Sequence, residues 1–228
     1  MSTRGERTRE QILDAAELLY GDRGVDAVSL REIRLAANQR NTSAIQFHFG
    51  GADGLLVALA ERHLPLLAAR QVEVRARQIE RGAEEPADLI DVLVLPWADY
   101  VERGPSERAW VKISAAESAR PERFLRDFQH HLPEVMRQTV EQLYVHLVTF
   151  LPEPVAIERL LAVSMSTVHL CADRARAIDA AAGPARPLIE PEVFRANLLA
   201  MARAAAFATS PELTAGGGPG RDAAVAGE

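Results

Sequence analysis

"VSLREIRLAANQRNTSAIQFHFGG", residues 28 to 51, contains two helix starts, a polar turn and a double-glycine stop. Ser29 and Glu32 stand three apart, the spacing at which a side-chain hydroxyl and a carboxylate cap each other's backbone N–H groups at a helix N-terminus. Val28 and Ile33 occupy the places of the hydrophobic staple that fixes the entry angle of the chain. A helix is therefore predicted over about 30 to 37. "NQRN" (38–41) reads as the turn after it, with Asn41 capping a short helix from Thr42 to about His48. Gly50 and Gly51 end that helix.

A helix turns by about 100° per residue, which places Ile45, Phe49 and Thr42 on one side of this short segment. Ser43 and Phe47 then lie opposite, with Gln46 and Ala44 on the flanks. A merely solvated face would carry Lys and Glu. A face that meets base edges in a DNA major groove needs small donors and acceptors, an amide, and apolar surface for thymine methyls. Ser43, Gln46 and Phe47 supply these, and the positive helix end near Asn41 to Ser43 suits a phosphate.

Upstream, "TREQILDAAELLYGDR" (8–23) places Ile12, Ala15, Ala16, Leu19 and Tyr20 on one stripe. Thr8 with Gln11 is the predicted capping box, and Gly24 suits the left-handed residue past the helix end. Downstream, a long helix is predicted from about Asp53 to Arg81, kinked at Pro65. Further helices are expected near 87–102, 106–118, 122–149, 154–181 and 190–208, punctuated by proline and glycine. No stretch alternates with period two between turn signals, so the fold class is all-α. The expected organisation is an N-terminal three-helix helix-turn-helix domain over 1–50, a helical domain over 51–209 and a disordered Gly/Ala/Pro-rich tail over 210–228.

With 228 residues, 48% hydrophobic and 25% charged, the chain has the composition of a globular protein. Its apolar stretches are expected to be broken short of the roughly 18–20 residues that a membrane span requires. The lone cysteine, Cys171, cannot make an internal disulfide, which points to a reducing cytosol. Net charge is −6, and of 26 basic residues only Lys112 is lysine. Such a charge argues against a nonspecific nucleic-acid coat but leaves a locally basic, site-specific reader open.

From Arg7 to about Leu59, and above all in "REIRLAANQRNTSAIQFHFGGADGLL", the chain closely resembles the DNA-binding head of the TetR family of transcriptional regulators. His48-Phe49-Gly50 resembles the end of that family's recognition helix, and Leu55-Leu56 the opening of its connecting helix. Three features depart from the family pattern. The turn is one residue longer than the commonest form, Gln46 stands where Tyr is frequent, and Ala52 replaces a basic residue that commonly grips phosphate. The resemblance and the outward face together assign Arg4, Arg7, Ser29, Gln39, Arg40, Asn41, Thr42, Ser43, Gln46, Phe47, His48 and Gly51 to DNA contact. Arg9, Arg31 and Arg34 are further candidates for phosphate. Residues 1 to 50 hold seven Arg and seven Asp or Glu, so the head has no net charge.

The resemblance further implies a cytoplasmic homodimer paired through the last two helices, a palindromic double-stranded DNA operator and a small-molecule effector. Dimer material is offered by Ile157, Leu160, Leu161, Met165 and Val168, then Phe194, Leu198 and Met201; these residues could equally fill the monomer's own core. Trp97, Tyr100, Trp110, Phe128, His131, Met136, Tyr144 and His169 are the candidate effector contacts, with Phe124 considered beside them. "HHLPE" places His130 and Glu134 four apart, but two unlike ligands beside Pro133 make no closed metal site. No catalytic residue, cofactor or metal is expected. The reading is a ligand-responsive repressor; an activator of the same fold is its near alternative. From another class, the alternative is a helical small-molecule-binding protein, or enzyme, with a vestigial DNA-binding head.

Overall fold

The computed structural model of the chain describes residues 4–82, 85–119, 131–180, 183 and 187–209. Among these residues there are nine α-helices and no strand: α1 (Arg4–Arg23), α2 (Leu30–Ala36), α3 (Ala44–Phe49), α4 (Ala52–Glu80), α5 (Pro86–Tyr100), α6 (Pro105–Ser118), α7 (Glu134–Leu147), α8 (Glu153–Asp179) and α9 (Pro191–Phe207). A 3-10 turn, Val25–Ala27, joins α1 to α2. The expected tail, Phe124, Phe128 and His130 lie outside the described residues.

The all-helical expectation holds, and most boundaries fall within a residue or two; the helix expected over 122–149 is instead Glu134–Leu147, with Pro133 as its N-cap, and residues 122–130 lie outside the described ones. Helix α1 differs: it begins at Arg4, so Thr8 and Gln11 lie inside it and form no capping box. Residues 4 to 7 include no proline to stop it, Gly5 is tolerated in the first turn, and Glu6 sits favourably there. Gly24, at φ 84°, ends the helix as expected. Proline stands in the first turn of α5, α6, α8 and α9, where its missing N–H costs no helix hydrogen bond. Helix α4 continues through Pro65.

Helix α5 packs against α4, α7, α8 and α9, while α6 is clasped between α8 and α1. A Cβ on Gly21 would lie 2.7 Å from Ala109 Cβ, so this glycine lets the backbones of α1 and α6 meet. One apolar cluster runs from Ile12 in α1 to Ala206 in α9, tying the N-terminal helices to the rest. Helix α8 corrects one expectation, being long and apolar enough by length and composition to cross a membrane; 28% of that window is buried. Between Glu153 and Asp173 its charges are Glu158 and Arg159 alone, too few to lower the mean hydropathy of the stretch below that of a span. Cys171 is buried in this helix, and burial pushes its thiol up to about 12, which makes it a core residue rather than a nucleophile.

Candidate nucleic-acid interface and ligand groove

The Ser29–Glu32 capping box forms as read: the Glu32 N–H donates to Ser29 Oγ at 3.2 Å, and the Ser29 N–H to Glu32 Oε2 at 2.9 Å. These bonds to Ser29, with one from Arg23, hold the Glu32 carboxyl down to about 2. Helix α2 ends at Ala36, and Asn38, at φ 53°, turns the chain two residues on; Asn tolerates this left-handed region better than most residues. Arg34 then donates to the Gln39 carbonyl at 2.7 Å. Gln39 donates to Gln11 Oε1 at 3.0 Å and to the Ala37 carbonyl at 3.1 Å. The guanidinium of Arg34 and the amide of Gln39 therefore lock the turn, where the sequence suggested contacts to DNA.

Helix α3 starts at Ala44, not Thr42, because residues 42 and 43 belong to the turn. Asn41 is not its N-cap; Asn41 Oδ1 accepts the Ser43 N–H at 3.0 Å one step earlier. The shifted start changes the wheel: Ala44 is buried, only 4% exposed, and Thr42 is exposed. Ser43, Gln46 and Phe47 face outward as predicted, with Phe47 82% exposed. His48 is half-buried, its ring 5.0 Å from that of Phe47 and 6.2 Å from that of Phe49. The Arg9 guanidinium covers Phe49 at 5.2 Å and pairs with Glu10. Arg4, Arg7, Arg31, Arg40 and Ser29 are exposed, and Gly51 is half-buried at φ 125°. A Cβ on Gly54 would fall 1.6 Å from the Phe49 carbonyl oxygen, so only glycine allows α3 to turn this closely onto α4. The sequence reading did not single out that residue.

Behind the head lies a buried polar junction that sequence reasoning missed. Glu17 of α1 and His63 of α4 are 2% and 1% exposed. His63 Nε2 faces Glu17 Oε2 at 3.1 Å, and Nδ1 faces the Tyr100 hydroxyl of α5 at 2.7 Å. The His63 ring stacks on Trp110 of α6, with centroids 5.1 Å apart and planes 5° from parallel. Arg62 donates to Asp14, Glu17 and Glu10 at 2.8, 2.9 and 2.6 Å. Burial pushes the Glu17 carboxyl up, but hydrogen bonds from His63, Ser106 and Arg62 outweigh it and keep it below its ordinary value. Burial likewise pushes the Tyr100 hydroxyl up, so it stays protonated. Four helices thus meet in one hydrogen-bonded knot. Partners 37 and 46 residues apart leave no local pattern to read.

An apolar groove of about 400 Å3 runs along α7, lined by Leu132, Met136, Arg137, Val140, Glu141, Tyr144 and Leu160. Two of the predicted effector contacts, Met136 and Tyr144, lie in it, and the Tyr144 hydroxyl donates to Glu153 at 2.9 Å. Tyr100 and Trp110 instead close around His63 in the core, and Trp97 is half-buried. His131 is exposed, 3.9 Å from Glu61, and His169 is exposed with Nε2 3.2 Å from Ser118 Oγ. Elsewhere in the bundle, some buried polar atoms of the described residues are unpartnered. Gln71 Oε1 of α4, Trp110 Nε1 and Ser114 Oγ of α6, and Thr167 Oγ1 of α8 are buried with no hydrogen-bond partner among the described residues.

The arrangement of three short helices leading into a long α4 and a larger helical bundle has solved counterparts. The chain is similar to a bacterial regulatory protein in the tetR family from Rhodococcus RHA1, at a TM-score of 0.51 and 16% identity. That likeness covers 92% of this chain and 100% of the other. It is also similar to a mutant of the HlyIIR protein, at a TM-score of 0.50 and 14% identity, over 87% of this chain and 97% of that one. The fold is that of the TetR-family regulators. No family model and no curated protein sequence matches the chain. In this fold α2 and α3 pack together across the turn at Asn38, α3 packs on α4, and α4 runs on into the larger helical part.

Proposed function

We propose that this chain is a ligand-responsive, TetR-type repressor that binds a palindromic DNA operator as a cytoplasmic homodimer. The observation that carries the reading is the face of α3: Ser43, Gln46 and Phe47 are exposed, uncharged, and presented by a helix-turn-helix. That is chemistry for base edges rather than for bulk water. Phosphate contact falls to the exposed Arg4, Arg7, Arg31 and Arg40, since Arg9 covers Phe49 and Arg34 holds the turn. With so few cations, the affinity should fall with salt less steeply than for strongly basic binders. Each phosphate contact contributes roughly 0.9 to the log–log slope; a slope of eight or more over a salt series would refute this assignment.

The dimer is assigned to α8 and α9. Ile157, Leu161 and Met165 are exposed at four-residue spacing on α8, and Val193 and Met201 are exposed on α9. Leu198, by contrast, is buried in the protomer's own core, and Phe194 packs under the Arg174 guanidinium at 4.6 Å. Two such helices in each protomer place a two-fold axis between the heads, with half-sites about 34–36 Å apart. The effector is assigned to the larger helical part, supported by the groove on α7 and by the unpartnered polar atoms of Gln71, Ser114 and Thr167. An effector that prefers the conformer unable to dock both heads lowers operator affinity by that preference alone.

Selection of bound duplexes from a random DNA library by the full-length protein tests the reading, and enrichment of a palindrome is the expected outcome. If folded dimer enriches nothing even at low salt, the chain is a helical ligand-binding protein with a vestigial head. A selected site that overlaps a polymerase site marks a repressor, and one that lies upstream marks an activator.

A further inference from the structure

We infer that Phe47 is a sequence-reading residue: its ring seats the 5-methyl group of a thymine in the major groove, so each operator half-site has one obligatory A·T pair. The inference rests on the DNA-binding reading above and names what that face recognises. Phe47 is the most exposed of the large hydrophobic residues described, at 82%, and His48 packs edge-on against its ring, with planes 82° apart. Its backbone N–H is held by the Ser43 carbonyl at 2.8 Å, so the side chain projects from a fixed helical position. From Asn41 to Gly51 there is no Arg, Lys, Asp or Glu. Bidentate guanine recognition draws on Arg or Lys, and cytosine N4 on an acidic acceptor. What α3 offers at its outward centre is an apolar ring beside an amide, Gln46, the pair of groups that matches a thymine methyl and an adjacent adenine.

The test begins with the palindrome selected by the full-length protein. Each thymine of the half-site is replaced symmetrically by deoxyuridine, which keeps the base pair and removes only the methyl. Affinity is measured by fluorescence anisotropy for the wild type, F47A and F47L. Loss of one buried methyl contact corresponds to about fourfold per half-site, or about fifteenfold for both. The expected result is one symmetric thymine position at which the wild type shows that loss. F47A should bind the thymine and deoxyuridine duplexes within about twofold, and F47L, which keeps an apolar group, should retain part of the discrimination. If no thymine is methyl-sensitive in the wild type, or if F47A keeps the wild-type ratio, the inference is overturned while the regulator stands. If no duplex is enriched at all, the regulator reading and the inference fall together.

Discussion

Helix α3 and the junction beneath it invert the usual placement of side chains. On α3 an aromatic ring stands in solvent, 82% exposed. At the junction a carboxylate and an imidazole are 2% and 1% exposed. Each placement is costly unless something compensates. The buried pair is compensated within the molecule by Arg62, Tyr100 and Ser106, whereas among the described residues the ring that meets Phe47 is His48, edge-on, and it leaves Phe47 82% exposed. The buried pair thus ties α1 to α4, and the exposed ring is the surface to which the proposed function assigns DNA. One can be broken without touching the other.

The largest expected effect is at the junction. His63→Ala leaves Glu17 with Arg62 and Ser106, removes the Tyr100 partner and empties the space under Trp110. Urea unfolding should report a loss of about 3 kcal/mol; an unchanged midpoint would mean that the knot holds nothing together. Next is the close approach of α3 to α4. Gly54→Ala sets a methyl against the Phe49 carbonyl and should cost about 2–3 kcal/mol, together with DNA binding, because α3 must then lift away. Wild-type stability with intact DNA binding would contradict the 1.6 Å geometry.

A smaller effect concerns the capping box. Glu32 has its carboxyl lowered from an ordinary value near 4.5 to about 2, so its contribution is complete above pH 4.5 and is lost as pH falls toward 2. Thermal unfolding between those pH values should show a decline that Glu32→Gln reduces; equal slopes for the two proteins would remove the capping box from the stability of the head. The smallest effect on stability belongs to the most exposed residue. Phe47→Ala should leave the urea midpoint within about 0.5 kcal/mol of wild type, while paired with Gln46→Ala it should lower operator affinity at least about tenfold. A destabilised F47A would assign the ring to packing.

The sequence by itself determined the elements whose causes are local. Ser29 and Glu32 lie three residues apart, Gly24 and Gly50 adopt positive φ where the helices end, and the first-turn prolines mark α5, α6, α8 and α9. Each is a bond or a torsion within one turn of chain, so spacing is enough to read it. The outward direction of Ser43, Gln46 and Phe47 was legible for the same reason.

Tertiary structure decided the rest, because the deciding contacts join residues far apart in sequence. It buried Ala44 and exposed Thr42, since docking on α4 sets where α3 begins. It set the Gln39 amide against Gln11 of α1, and it drew Tyr100 and Trp110 around His63 rather than into an open groove. Burial and partner choice depend on which helices meet, and nothing within one helix records which neighbour its buried face will find.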